Sequence, residues 1–155
     1  MLITLFTDAS HCQKTHVAAY AAWAKADGRT VRRAGILKDR VPDSSIAEAQ
    51  ALVNGLCFAL AALKPPPASK IIAQTDCIGA IAALTGQLRK QRSVIRFAPM
   101  TAIFNERIAA TGIEVEFRHV SGHKGVVTPR NAVNTWCDGE CRKLMRQARA
   151  AALAR

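Results

Sequence analysis

The 155-residue sequence predicts an α/β fold, a mixed five-stranded sheet flanked by helices, and three observations carry that prediction. Residues 2–7, 16–25 and 30–38 read as strands, with the hairpin signal Asp27-Gly28 between the second and third. The apolar period then switches to that of a helix over residues 45–63. The apolar run at 69–75 follows, and a strand reached through a helical crossover lies parallel to an earlier one.

The elements follow in order. MLITLF is an apolar run, interrupted only by Thr4, that reads as a buried strand, and Asp8 follows it closely. HVAAYAAWAK and TVRRAGILK complete an antiparallel meander. Ala49, Leu52, Val53, Leu56, Leu60 and Leu63 mark one helical face. Ser45-Ile46-Ala47-Glu48 forms a capping box before it, and Pro65-Pro66-Pro67 stops it. SKIIAQT is the fourth strand. A short helix is expected at 77–85, a basic stretch at 88–96, and a helix at 99–110. IEVEFRHV at 113–120 alternates as the fifth strand. A polar loop at 121–130 leads to a last helix at about 131–150. With no repeat, low-complexity block or linker, residues 1–155 are expected to form a single domain.

Composition narrows the function. Half the residues are hydrophobic and 21% are charged, as in a globular protein. No uninterrupted apolar run reaches the ~18–20 residues of a membrane span. The N-terminal run lacks the length and the basic flank of a signal peptide, so a cytoplasmic location is expected, with no membrane association. Twenty-two Lys and Arg stand against 11 Asp and Glu, a net charge of +11, which favours a polyanionic partner. Five cysteines, an odd count without a secretion signal, read as reduced thiols. Cys137 and Cys141 have no CxxC or second pair of zinc spacing beside them and read as small buried hydrophobes. Aromatic residues are few, which argues against extensive base stacking, and Trp23 and Trp136 read as core or flank residues.

Four acids occupy notable places: Asp8 at the end of the first strand, Glu48 in the first turn of the long helix, Asp76 at the end of the fourth strand, and Asp138 within the last helix. Each has a local explanation, respectively a turn, the capping box, an N-cap and a solvated helix face. Together they suggest more. If the first and fourth strands are parallel neighbours, Asp8 and Asp76 stand side by side. Clustered carboxylates repel, and a divalent cation neutralises them. Oxygen ligands suit Mg²⁺, and two such ions can drive phosphodiester hydrolysis.

The motifs "FTDAS", "SSIAEAQAL", "AQTDCIGAI" and "HVSGHKG…NTWCD", in this order over nearly the whole chain, resemble the type 1 ribonuclease H family. The resemblance implies the ribonuclease H-like fold and hydrolysis of the RNA strand of RNA–DNA hybrids with two Mg²⁺ or Mn²⁺ ions. It implies that Asp8, Glu48, Asp76 and Asp138 are the metal-binding and catalytic carboxylates, Asp8 being shared by both ions. Glu48 would also lie near the ribose 2′-hydroxyl, and His123 resembles the histidine that assists proton transfer or product release. Ser10, Ser44, Ser45, Lys124, Arg130 and Asn134 fall where the family touches nucleic acid. A monomer acting on hybrid is expected, and a replication or polymerase partner is left open. The chain departs from the family at Ala9 and Ile78, in a longer stretch from His123 to Asp138, and in a shortened basic handle of which Arg89, Lys90, Arg92 and Arg96 keep part of the charge. The competing readings are a DNA nuclease of the junction-resolvase type, a non-catalytic scaffold on this fold, and a basic structural or ribosome-associated protein. The Glu48 context and the SGHKG loop favour the hybrid nuclease over the resolvase, and the presence of all four acids favours it over the two non-catalytic readings.

Overall fold

The computed structural model describes residues 1–121 and 128–155. Three strands, β1 (Leu2–His11), β2 (Ala18–Ala26) and β3 (Arg29–Ile36), precede helix α1 (Ser44–Leu63). Strand β4 (Lys70–Thr75), helices α2 (Ile78–Leu84) and α3 (Gln91–Arg107), a 3₁₀ turn (Ala109–Thr111), strand β5 (Glu114–His119) and helix α4 (Pro129–Leu153) follow. The sheet order is β3-β2-β1-β4-β5. Strands β1, β2 and β3 pair antiparallel, and β4 runs parallel to both β1 and β5. This is the mixed five-stranded sheet that the sequence predicts. Asp27 and Gly28 both take positive φ, +47° and +78°, as a two-residue hairpin requires.

Alternation along the central strand divides the core into two layers. Ile3 and Leu5 face α1, packing with Leu52, Leu56 and Ile71. Phe6 points the other way, toward Cys137 and Cys141 of α4. From Leu5 to Asp8 central β1 is buried on both faces, while Leu2 is exposed and Thr4 half-buried at its start. Strand β2 (AAYAAWAKA) is mostly alanine, so α1 approaches the sheet closely. A Cβ on Gly55 of α1 would lie 2.4 Å from Thr7 Cγ2 and 3.4 Å from Ala22 Cβ. With 20 residues and a mean hydropathy of 1.6, α1 matches a membrane span in length and composition. Here its apolar side is the core of the α1 layer.

Several local expectations are corrected. Strand β1 continues through Asp8 to His11, so Asp8 lies inside a strand. Strand β2 starts at Ala18, because His16 takes a left-handed conformation, φ +56°, closing a turn on Cys12. Helix α3 begins at Gln91 and carries Pro99 in its interior, where Phe97, Met100 and Phe104 hold it against the core. Residue 77, not Asp76, is the N-cap of α2. The capping box is not formed either: the N-cap of α1 is Asp43, whose carboxylate accepts from Ile46 N at 3.0 Å and pairs with Arg96 of α3. Asp43→Ala is expected to cost about 1 kcal/mol, a typical cap value, and to lower Tm by about 2–4 °C in a thermal melt.

Candidate metal and active site

The site is built by strand register. Phe6 of β1 pairs with Gln74 of β4 in parallel, so two residues further on Asp8 stands level with Asp76. Strand β4 ends at Thr75, leaving that side of β1 open beyond Phe6. Into this opening comes Glu48, from the second turn of α1. Its Oε1 accepts a hydrogen bond from Ala9 N at 3.1 Å, and the same N–H lies 2.9 Å from Asp8 Oδ1. The α1 carboxylate therefore satisfies the strand's backbone, not its own helix terminus.

Oxygens of Asp8, Glu48 and Asp76 all lie within 4.8 Å of one another. Asp8 is buried, Glu48 half-buried and Asp76 exposed, so the group is a cleft open at one end. Asp138 of α4 accepts from Arg142 Nε at 2.8 Å, and its charge bears on Asp8. Burial first, and then the charge of Asp76, push the Asp8 carboxyl up to about 6. Burial, then Asp8 and Asp76, push Glu48 up further still. Three carboxylates this close do not all ionise without a counter-charge. The second oxygen of Glu48, Oε2, is buried without a hydrogen-bond partner among the described residues. An orphaned acceptor within an all-oxygen donor set fits a hard divalent cation. The neighbouring thiols do not compete for it: burial first, then Asp8, pushes Cys137 up to about 12, and the same causes raise Cys141 further. Both are buried and free, as small apolar residues.

The whole chain superposes on solved structures of one kind. The N-terminal RNase H domain of a Mycobacterium tuberculosis protein matches with a TM-score of 0.69 and 18% identity over 97% of this chain and 98% of that one. LC11-RNase H1, solved in complex with an RNA/DNA hybrid, matches with a TM-score of 0.62 and 16% identity over 94% and 98%. The RNase H1 of the halophilic archaeon Halobacterium salinarum matches with a TM-score of 0.59 and 16% identity over 95% and 99%. The fold is that of ribonuclease H. No sequence-family model matches the chain, and no curated protein matches it by sequence.

On this ribonuclease H fold the residues singled out in the sequence fall in two groups. Asp8, Glu48 and Asp76 converge, with Asp138 electrostatically coupled to Asp8. Ser10 lies two residues beyond Asp8, on the same face of β1. Ser44 and Ser45 open α1 one turn before Glu48, and Asn134 lies one turn before Asp138 on α4. Arg130 is exposed at the start of α4. His123 and Lys124, within the SGHKG motif, lie outside the described residues. Trp23 packs edge-to-face on Phe6 with ring centroids 5.9 Å apart, and Trp136 lies under the Arg32 guanidinium at 5.3 Å. Both are flank residues of the core, as expected.

One residue near the acids was passed over. His119, the last residue of β5, pairs with Thr75 and shares a hydrogen bond with the Asp76 carbonyl, Nε2 to O 3.1 Å. It braces the turn that carries Asp76. The available signal was its place at the end of an alternating strand next to β4.

Proposed function

We propose that this protein is a metal-dependent endonuclease that hydrolyses the RNA strand of RNA–DNA hybrids. The convergence of Asp8, Glu48 and Asp76 within 4.8 Å, on a ribonuclease H fold, carries the reading. Asp8, Glu48, Asp76 and Asp138 would hold two Mg²⁺ ions, with Mn²⁺ as a substitute. When bound, the ions supply an activated water and charge stabilisation at the leaving oxygen. The chain's own residues position and neutralise. Asp8, the buried member of the cluster, would be the ligand that both ions share. Glu48, fixed by the Ala9 N–H, is set to meet the ribose 2′-hydroxyl, the group that separates RNA from DNA. His119 keeps the Asp76 backbone in place. Ser10, Ser44, Ser45 and Asn134, each close along its element to one of the acids, would serve as neutral hydrogen-bonding partners for phosphate and sugar. His123 is proposed to move the proton of the departing group, with Lys124 and Arg130 near the phosphates. The domain acts as a monomer, and its net charge of +11 draws the polyanionic substrate to it.

The test is cleavage of a labelled RNA–DNA hybrid beside single-stranded RNA, duplex RNA and duplex DNA, with Mg²⁺ and then with EDTA. Hybrid-restricted cutting of the RNA strand, lost in EDTA, is the expected result. Cutting of DNA instead would move the protein to the junction-resolvase class. Binding without cutting would make it a scaffold. In the same assay His123→Ala is expected to lower kcat by about 10²-fold, a common scale for loss of a proton-transfer group, without abolishing turnover. A wild-type rate would remove the histidine from the mechanism.

A further inference from the structure

Helix α4 carries a second feature beyond the acids. Arg142, Arg146 and Arg149 stand four, eight and eleven residues after Asp138. With 3.6 residues per turn, that spacing keeps all four side chains on one stripe, an arc of roughly 80°. The buried residues of α4, Cys137 and Cys141, occupy a different side. All three arginines are exposed. Arg142 is bonded to Asp138, and among the described residues Arg146 and Arg149 form no ion pair.

The stripe has a definite place relative to the carboxylates. Its first residue, Asp138, follows Cys137, which packs on Phe6 of β1, two residues before Asp8. Just beyond its last arginine the helix meets the chain that leaves β1: Ala152 and Arg155 line one groove with Thr15 and His16. The stripe therefore starts at the cleft and follows the end of β1 past it, over a rise of roughly 16 Å. Like charges three and four residues apart on an exposed helix repel. Nothing acidic on the helix relieves Arg146 and Arg149, so the arrangement is suited to an external polyanion. A duplex strand presents one phosphate per roughly 3.4 Å of axis, so the far end of the stripe lies about five phosphates from the cleft and its three arginines span about three.

We propose that Arg142, Arg146 and Arg149 form a phosphate rail that holds the hybrid backbone to one side of the scissile bond. The proposal rests on the nuclease reading above and extends it to substrate length. A hybrid reaching about five base pairs beyond the cleavage position on that side engages the rail, and a shorter one does not.

The test uses the double variant Arg146→Gln/Arg149→Gln, which leaves the Arg142–Asp138 pair untouched, and the charge-preserving pair Arg146→Lys/Arg149→Lys. Each is assayed on a hybrid of about 20 base pairs and on one of about six. The glutamine variant is expected to raise KM on the long hybrid by about tenfold with kcat unchanged, and to flatten the salt dependence of binding by nearly two in log–log slope. The lysine variant keeps the wild-type KM, and on the short hybrid all three proteins agree. Unchanged KM and salt slope for the glutamine variant on the long hybrid, in a wild type that cleaves it, would overturn the rail. So would a loss confined to binding vesicles of anionic phospholipid. A wild type that neither binds nor cleaves hybrid would remove the nuclease reading itself.

Discussion

Asp8→Asn is expected to lower kcat/KM on RNA–DNA hybrid by at least about a thousandfold, equivalent to about 4 kcal/mol of transition-state stabilisation, while the chain folds and binds hybrid. The loss follows from position. Asp8 is the buried member of the cluster, set between Glu48 and Asp76 and influenced by Asp138. Asparagine keeps its shape and an oxygen for the Ala9 N–H, and removes only the charge that a cation needs. Asp76→Asn is expected to behave the same way in activity.

The same variant is expected to be more stable than wild type when no divalent ion is present. The Asp8 carboxyl is raised from its ordinary range to about 6 by burial and by Asp76. The folded state therefore holds a proton more tightly than the unfolded one. Stability from this source is present below the unfolded value, near 4, and is lost as pH rises through about 6. At pH 7.5 the Asp8 carboxylate is ionised against its burial and the charge of Asp76, while Glu48 keeps its proton, so Asp8→Asn is expected to gain about 1–2 kcal/mol and a few °C in Tm. Adding Mg²⁺ raises Tm of the wild type and moves that of the variant much less. A variant that keeps full activity would remove Asp8 from the site. A variant less stable than wild type in EDTA would remove the electrostatic account of the cluster.

Gly55→Ala is the second large expected effect, and it lies outside the cleft. The added methyl would sit 2.4 Å from Thr7 Cγ2, closer than any real contact, with Ala22 Cβ at 3.4 Å behind it. Thr7 is buried and β-branched, so it has no free rotamer to retreat into. Helix α1 must move off the sheet, at a cost of about 1–3 kcal/mol. The helix also carries Glu48, held to Ala9 N at 3.1 Å, so its displacement opens the cluster. Activity is expected to fall about tenfold or more beyond what the lowered Tm explains, since small misplacements at a reacting centre are costly. Thr7→Ser removes the clashing carbon, and the double variant is expected to recover both properties. A single variant with wild-type activity and Tm would show that α1 and the sheet are less closely coupled than the packing indicates.

The fold was legible wherever local patterns and tertiary demands agree. The apolar run MLITLF belongs to the central strand β1, Asp27-Gly28 forms the predicted hairpin turn, and the period switch at 45–63 marks α1 to within one residue. The misses share one cause, local chemistry overridden by distant partners. A strand was ended at its first carboxylate, yet Asp8 stays in β1 because β2 pairs alongside it through His11. Glu48 was read as half of a capping box, yet Asp43 caps the helix and Glu48 reaches 39 residues back to Ala9. Pro99 was placed at a helix start, yet the apolar face Phe97, Met100 and Phe104 carries α3 through it. The convergence of Asp8 with Asp76 was inferable, since it needs only parallel neighbouring strands. His119 was not, because its importance is a contact with a backbone carbonyl that no side-chain pattern reports.

The alanine content of β2 has a consequence for how this chain can change. A core layer of Val, Ile and Leu drifts by exchanging volume between neighbours, one side chain shrinking as another grows. Ala18, Ala22, Ala24 and Ala26 contribute to the α1 layer with nothing to give up, and Gly55 faces them with less. Apart from alanine to glycine, substitutions in this seam can only add atoms. Its mutational spectrum is therefore one-sided, and homologues that diverge elsewhere should retain small residues along this strand and at position 55.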